Sequence, residues 1–208
     1  MLAIEVENVA RRYGRRWALA GVSFRAEAGS VVMIAGRNGS GKSTLLRVLS
    51  TAIRPDAGTA RVAGFDVVRE REDVRKATAI LSHASYLYDA LSARENLAVA
   101  ARILGKKASV DGLLDRVGLL ARSDDAVATY SAGMRKRLSF ARVLLQDAKV
   151  VLLDEPYGQL DPEGFALVDE VVAELKSRGV TVVLATHQVE HVSELADQVV
   201  MLESGRLV

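Results

Sequence analysis

The sequence predicts an α/β fold with a mostly parallel central sheet, an N-terminal antiparallel β-subdomain and an inserted α-helical subdomain. Three patterns carry that expectation. Short, almost wholly apolar runs recur at 31–35, 150–153 and 181–185, as strands buried on both faces require. Segments 2–9 and 22–27 instead alternate apolar and polar residues, the mark of half-buried strands. Between about 92 and 146 the periodicity becomes helical.

In chain order, the two alternating segments precede the run 31–35, which ends in a glycine loop and leads into a helical pattern over 44–49. Strand, glycine loop and helix in that order open an α/β unit. A strand pair at 59–68 and a short buried strand at 79–81 follow. Helices are expected over 95–104, 110–117 and 134–145, then over 165–176 between the last two buried strands. Segments 198–202 and 206–208 read as a terminal hairpin. The expected organisation is one domain, 1–208, with a core formed by 1–83 and 147–208 and a helical subdomain from about 84 to 146.

With 208 residues, half of them hydrophobic, the chain can bury a sizeable core. Its net charge of +2 is weak support for a nucleic-acid partner, and none is expected. The absence of cysteine excludes disulfides and thiolate metal sites. No apolar run reaches the roughly 18 to 20 residues that cross a bilayer, and the N-terminus lacks the features of a signal peptide. The expectation is a cytoplasmic protein that reaches a membrane only through something that spans it.

Gly36-Arg37-Asn38-Gly39-Ser40-Gly41-Lys42-Ser43, followed by Thr44, fits G-x-x-x-x-G-K-[ST] between a buried strand and a helix. Glycines let the backbone close around a phosphate, and the helix N-terminus favours the same anion. Lys42 is expected on the β/γ-phosphates of a bound nucleotide and the Ser43 hydroxyl on Mg²⁺. Asp154 and Glu155 end the buried strand 150–153. A carboxylate at a strand's carboxyl end is placed to organise Mg²⁺, the role assigned to Asp154, and Glu155 to orient or deprotonate the attacking water.

These features make a P-loop NTPase, and the remaining motifs narrow the resemblance. Tyr130-Ser131-Ala132-Gly133-Met134 resembles the signature of ABC proteins, usually Leu-Ser-Gly-Gly-Gln. Gly158-Gln159-Leu160-Asp161 resembles their D-loop, Thr186-His187 their switch histidine, and Tyr13 the aromatic residue that stacks on adenine. Singly, Tyr13 also reads as an edge-strand ring, Ser131 as a helix N-cap and Asp161 as a helix start before Pro162. Their order and spacing favour the family. The resemblance implies a RecA-like core and a head-to-tail dimer with a second ATP-binding domain. Ser131 and Gly133 would meet the γ-phosphate bound to the partner, His187 would help position water and Glu155, and Asp161 would report across the interface. It also implies an integral membrane permease as partner, gripped by the helical lobe, and a location on the inner face of the cell membrane.

The signature departs from the family pattern at Tyr130, Ala132 and Met134, and the Q-loop glutamine is replaced by His83 or Ala84. Because the sequence ends soon after the last hairpin, a minimal exporter-type ATPase is expected. Its Ser82-His83-Ala84-Ser85, Glu95-Asn96-Leu97 and Asp154-Glu155-Pro156-Tyr157 are most similar to the ATP-binding subunit of the haem exporter of cytochrome c biogenesis, so haem export is the leading expectation and multidrug export its alternative. They also resemble multidrug and ABC-2-type exporter subunits. A non-transport ATP switch acting on nucleic acid or ribosomes is the competing class.

Overall fold

The computed structural model describes residues 1–82, 84–187 and 195–208. Two compact units are distinguished: 1–80 with 148–156 and 169–208, and 81–147 with 157–168.

The first unit begins with a long hairpin, β1 (Leu2–Tyr13) and β2 (Arg16–Glu27). It is followed by β3 (Val31–Ala35), α1 (Lys42–Leu49), β4 (Ala57–Val62), β5 (Phe65–Asp66), α2 (Arg71–Ala77) and β6 (Thr78–Leu81). β1, β2, β4 and β5 form an antiparallel sheet in the order β2-β1-β4-β5. The hairpin extends past both segments expected from alternation. Register shifts between Val6 and Val9, Val9 and Ala10, and Arg11 and Arg12 break the period of two, and the arginine-rich tip has no buried face to restore it. α2 was not anticipated, because a seven-residue polar helix that buries only Val74 and Ala77 leaves little periodic signal.

The second unit contributes α3 (Ala93–Leu104), α4 (Val110–Arg116) and α5 (Ala132–Leu145), which pack on one another around buried Leu97, Leu114, Leu138 and Phe140. Ser92 starts α3 with a capping box, its hydroxyl accepting from the Glu95 amide while Glu95 accepts from the Ser92 amide. Buried Asn96 holds the preceding loop, accepting from Tyr88 N and donating to the Tyr88, Leu91 and Ser92 carbonyls. The Glu95-Asn96-Leu97 triplet is thus a cap, a loop clamp and a core residue.

The remaining strands return to the first unit: β7 (Val150–Asp154), β8 (Thr181–Thr186), β9 (Gln198–Glu203) and β10 (Arg206–Leu207). α6 (Pro162–Ser177) starts in the second unit and ends in the first. The six-stranded sheet runs β10-β9-β3-β8-β7-β6, with β9, β3, β8 and β7 mutually parallel and β10 antiparallel to β9. One apolar core joins both sheets of this unit through Leu45, Leu46 and Leu49 of α1. The fold is the α/β architecture expected: a mostly parallel sheet, an antiparallel β part and a helical part.

Candidate nucleotide site

β8 lies between β3 and β7, and all three point the same way. Register pairs Ala35 with Thr186 and Asp154 with Ala185, so the phosphate loop, the acidic pair and His187 leave the sheet at one carboxyl edge. That edge is where open α/β sheets bind ligands.

The loop's path depends on two glycines. Gly36 has φ 152° and a β-carbon there would lie 2.3 Å from the Leu202 carbonyl oxygen. Gly41, at φ 112°, would place one 2.3 Å from the Ala18 carbonyl oxygen. No side chain fits either position. The loop is braced from the terminal hairpin, where the Gly205 amide donates to the Ser40 carbonyl at 2.9 Å. Arg37, Asn38 and Gly39 are exposed, Thr44 is half-buried, and Lys42 is buried with Nζ donating to the Gly36 and Arg37 carbonyls at 2.7 and 3.3 Å. The loop borders a cavity of about 600 Å³ whose lining includes Gly36 to Ser40, His187 and 201–204. Buried Ser40 Oγ, on that lining, has no hydrogen-bond partner among the described residues. A cradle that excludes Cβ atoms, with a cation beneath it and an unsatisfied hydroxyl, suits a polyphosphate.

Glu155 has a left-handed backbone, φ 47°, and its amide donates to the Ala185 carbonyl at 2.8 Å. Its carboxylate spans two partners, Lys42 Nζ at 3.5 Å and His187 Nδ1 at 2.9 Å. Non-glycine residues held at positive φ concentrate at functional sites. The Ser43 hydroxyl donates to Asp154 Oδ1 at 2.9 Å. Two oxygen donors held side by side are of the hard type that Mg²⁺ takes, so the pair fits that ion by its chemistry.

Tyr13, at the hairpin tip, does not line the cavity; it is 45% exposed, and the Arg11 guanidinium lies 5.1 Å from its ring centre. Ser131, Gly133 and Asp161 form a cluster of their own in the second unit. Ser131 caps α5, its Oγ accepting from the Met134 amide at 3.2 Å, and Asp161 caps α6 by accepting from the Gly164 amide at 2.8 Å. The local readings of both residues as helix starts therefore hold alongside any role toward nucleotide. Gly164's amide, and next the Arg137 guanidinium, hold the Asp161 carboxyl below its ordinary range. Tyr130, in the signature's leucine position, is buried and donates its hydroxyl to the Arg122 carbonyl at 2.6 Å; burial pushes that phenol up. At the Q-loop, Ala84 is exposed and its carbonyl accepts from Ser82 Oγ at 2.7 Å, whereas His83 lies outside the described residues. Sequence reasoning missed 201–204 as part of the cavity wall. The Ser204-Gly205 turn announces a hairpin, but not where the hairpin lands.

Residues 19–158 match the ABC transporter family. The chain belongs to that family. It is 41% identical over 99% of its length to the daunorubicin resistance ATP-binding protein of Streptomyces coeruleorubidus, covering 67% of that protein. A doxorubicin resistance ATP-binding protein of Mycobacterium tuberculosis is 35% identical over the whole chain, which covers 65% of it. The Nod factor export ATP-binding protein I of Paraburkholderia xenovorans is 35% identical over 99% of the chain and 69% of its own length. The chain thus spans about two thirds of these relatives. Among solved structures, the ATP-binding subunit of an ABC transporter superposes with a TM-score of 0.89 at 26% identity, covering 99% of this chain and 88% of that one. An ATP-binding cassette in a post-hydrolysis state with ADP and Pi shares the fold, with a TM-score of 0.87 at 22% identity over 98% of this chain and 96% of that one. These relatives are named for drug resistance and Nod factor export, which corrects the leading expectation of haem export and cytochrome c biogenesis in favour of its multidrug alternative.

Proposed function

We propose that the chain binds and hydrolyses ATP to drive a membrane exporter of drug-sized amphipathic molecules. The observation that carries the reading is Glu155, whose carboxylate bridges buried Lys42 and His187 beside a cradle that excludes side chains. Gly36 to Thr44 would wrap the phosphates with backbone amides, and Lys42 would turn from the Gly36 and Arg37 carbonyls to the β/γ-phosphates. Ser43 and Asp154 would hold Mg²⁺, which when bound neutralises phosphate charge. Glu155 would take the proton of the attacking water as the bond from the γ-phosphorus to its bridging oxygen breaks. His187, already on the Glu155 carboxylate, would orient that base. Tyr13 would stack on adenine, while Ser131 and Gly133 would meet the γ-phosphate held by a second ATP-binding domain, with Asp161 beside that interface.

The membrane partner would dock on the second unit. Exposed Tyr86, Tyr88 and Ile103 and the partly exposed Leu104 border a cavity of about 290 Å³ that Arg142 also lines, its guanidinium held below its ordinary pKa by burial. No helix among the described residues is long and apolar enough to cross a membrane, so attachment at the membrane's inner face would run through that partner. The test is reconstitution with the membrane subunit in vesicles, measuring ATP-dependent movement of daunorubicin. Transport that requires Glu155 supports the reading. Stimulation of hydrolysis by haem and not by drug would return the substrate to the haem alternative, and failure to hydrolyse ATP would sink the motor assignment.

A further inference from the structure

Arg137 follows the signature by one turn of α5, and its side chain is only 18% exposed. Its Nη2 donates to Asp161 Oδ1 at 2.8 Å. A β-carbon on Gly118, in the turn after α4, would come 3.3 Å from its Nη1, so the guanidinium is wedged between that turn and the 158–161 loop. A second contact runs parallel to the ion pair. A β-carbon on Gly133 would lie 3.0 Å from the Gln159 carbonyl oxygen, so the signature's surviving glycine and the same loop meet backbone to backbone. The carboxylate that receives Arg137 is also the cap of α6.

We propose that Arg137 is a positioning residue: pairing with Asp161 beside the Gly133–Gln159 contact, it locks the signature and the 158–161 loop into one rigid piece. The inference rests on the ATPase reading above, because the piece matters by presenting Ser131 and Gly133 to the partner's γ-phosphate. In sequence, residues 156–160 alone separate Asp161 from Glu155.

Amide hydrogen exchange on the whole chain without nucleotide reads the lock independently of catalysis. Alanine is the better helix former, so Arg137→Ala does not fray α5 by propensity. The Met134, Arg135 and Gly164 amides should nonetheless exchange about tenfold faster, the order expected for one lost charge-assisted hydrogen bond. Asp161→Asn keeps a capping oxygen but loses the charge, so Met134 and Arg135 should loosen while Gly164 stays protected. The swap Arg137→Asp with Asp161→Arg should restore protection of Met134 and Arg135. In ATPase assays Arg137→Ala should lower kcat about tenfold, with ATP affinity of the isolated chain unchanged. Unchanged exchange at Met134 and Arg135 in either variant, or a swap that restores nothing, overturns the lock. A wild-type chain that hydrolyses no ATP would overturn the motor reading instead, while the exchange measurements still decide the pairing.

Discussion

In the first unit, the groups that would meet the phosphates leave the ends of three buried parallel strands, and backbone bonds shape the loop between them. In the second, Ser131 and Gly133 stand at a helix start held by side-chain caps and the Arg137–Asp161 pair. The sequence tolerates change differently in the two places. The phosphate loop and acidic pair carry no departure from the family pattern; in the loop, a methyl at Gly36 or Gly41 would strike backbone. The signature departs at Tyr130, Ala132 and Met134, and its start survives: Ala132 is exposed at the first position of α5, and the other two changes are absorbed locally. Tyr130 stays buried and its hydroxyl finds the Arg122 carbonyl; the Met134 amide still reaches Ser131, while its sulfur accepts from Arg122 at 3.7 Å. Backbone-built sites constrain residue identity, whereas side-chain-built sites constrain only the contacts made.

That contrast breaks most visibly at Glu155. Glu155→Gln keeps the shape of the strand end but removes the base, so hydrolysis should fall by about two to four orders of magnitude with ATP binding intact. Single-turnover kinetics beside nucleotide titration checks this, and loss of binding in parallel would show that the carboxylate shapes the cradle. Lys42→Ala should act on the other quantity. ATP affinity should weaken about tenfold to a hundredfold, the worth of a charge-assisted hydrogen bond of about 1.5–3 kcal/mol. The loop itself should persist, because the Gly205–Ser40 brace remains. Unaltered affinity would argue against the phosphate contact.

The parts of the site carried by local chain chemistry were legible in the sequence. A glycine loop between an apolar run and a helix, and two carboxylates closing another such run, announce by spacing alone that they sit at strand ends. The Glu155–His187 contact follows from β7 and β8 being neighbours in parallel register, once the order of strands is known. The wall at 201–204 and the Arg137–Asp161 pair were not legible. Both join segments far apart in sequence, and nothing in a hairpin turn or a basic helix names the partner it will meet. The hairpin tip was missed for the opposite reason: Arg11 to Trp17 has no buried face, so strand pairing there left no period to read.

Acid should separate the two regions by a smaller margin. In the second unit three carboxyls are held below their ordinary range, all at element starts or loops. Glu95 is lowered chiefly by the Ser92 amide, Asp124 by the Arg94 guanidinium, and Asp161 by the Gly164 amide and then Arg137. In the first unit, burial pushes Asp66 up but the Arg69 and Val68 amides outweigh it, and Asp197 is lowered by Lys176 and the Val31 amide. Neither Asp66 nor Asp197 is in the phosphate loop. A depressed carboxyl stabilises the fold above its unfolded pKa, and that contribution disappears as pH falls through the folded value. Amides at the starts of α3 and α6 should therefore lose exchange protection below the ordinary carboxylate range. Those of the phosphate loop, secured by Leu45 on Gly41 and Gly205 on Ser40, should hold to lower pH. Exchange measured stepwise from neutral to acid checks this. Simultaneous loss in both places would mean the side-chain caps add nothing to the second unit beyond its core.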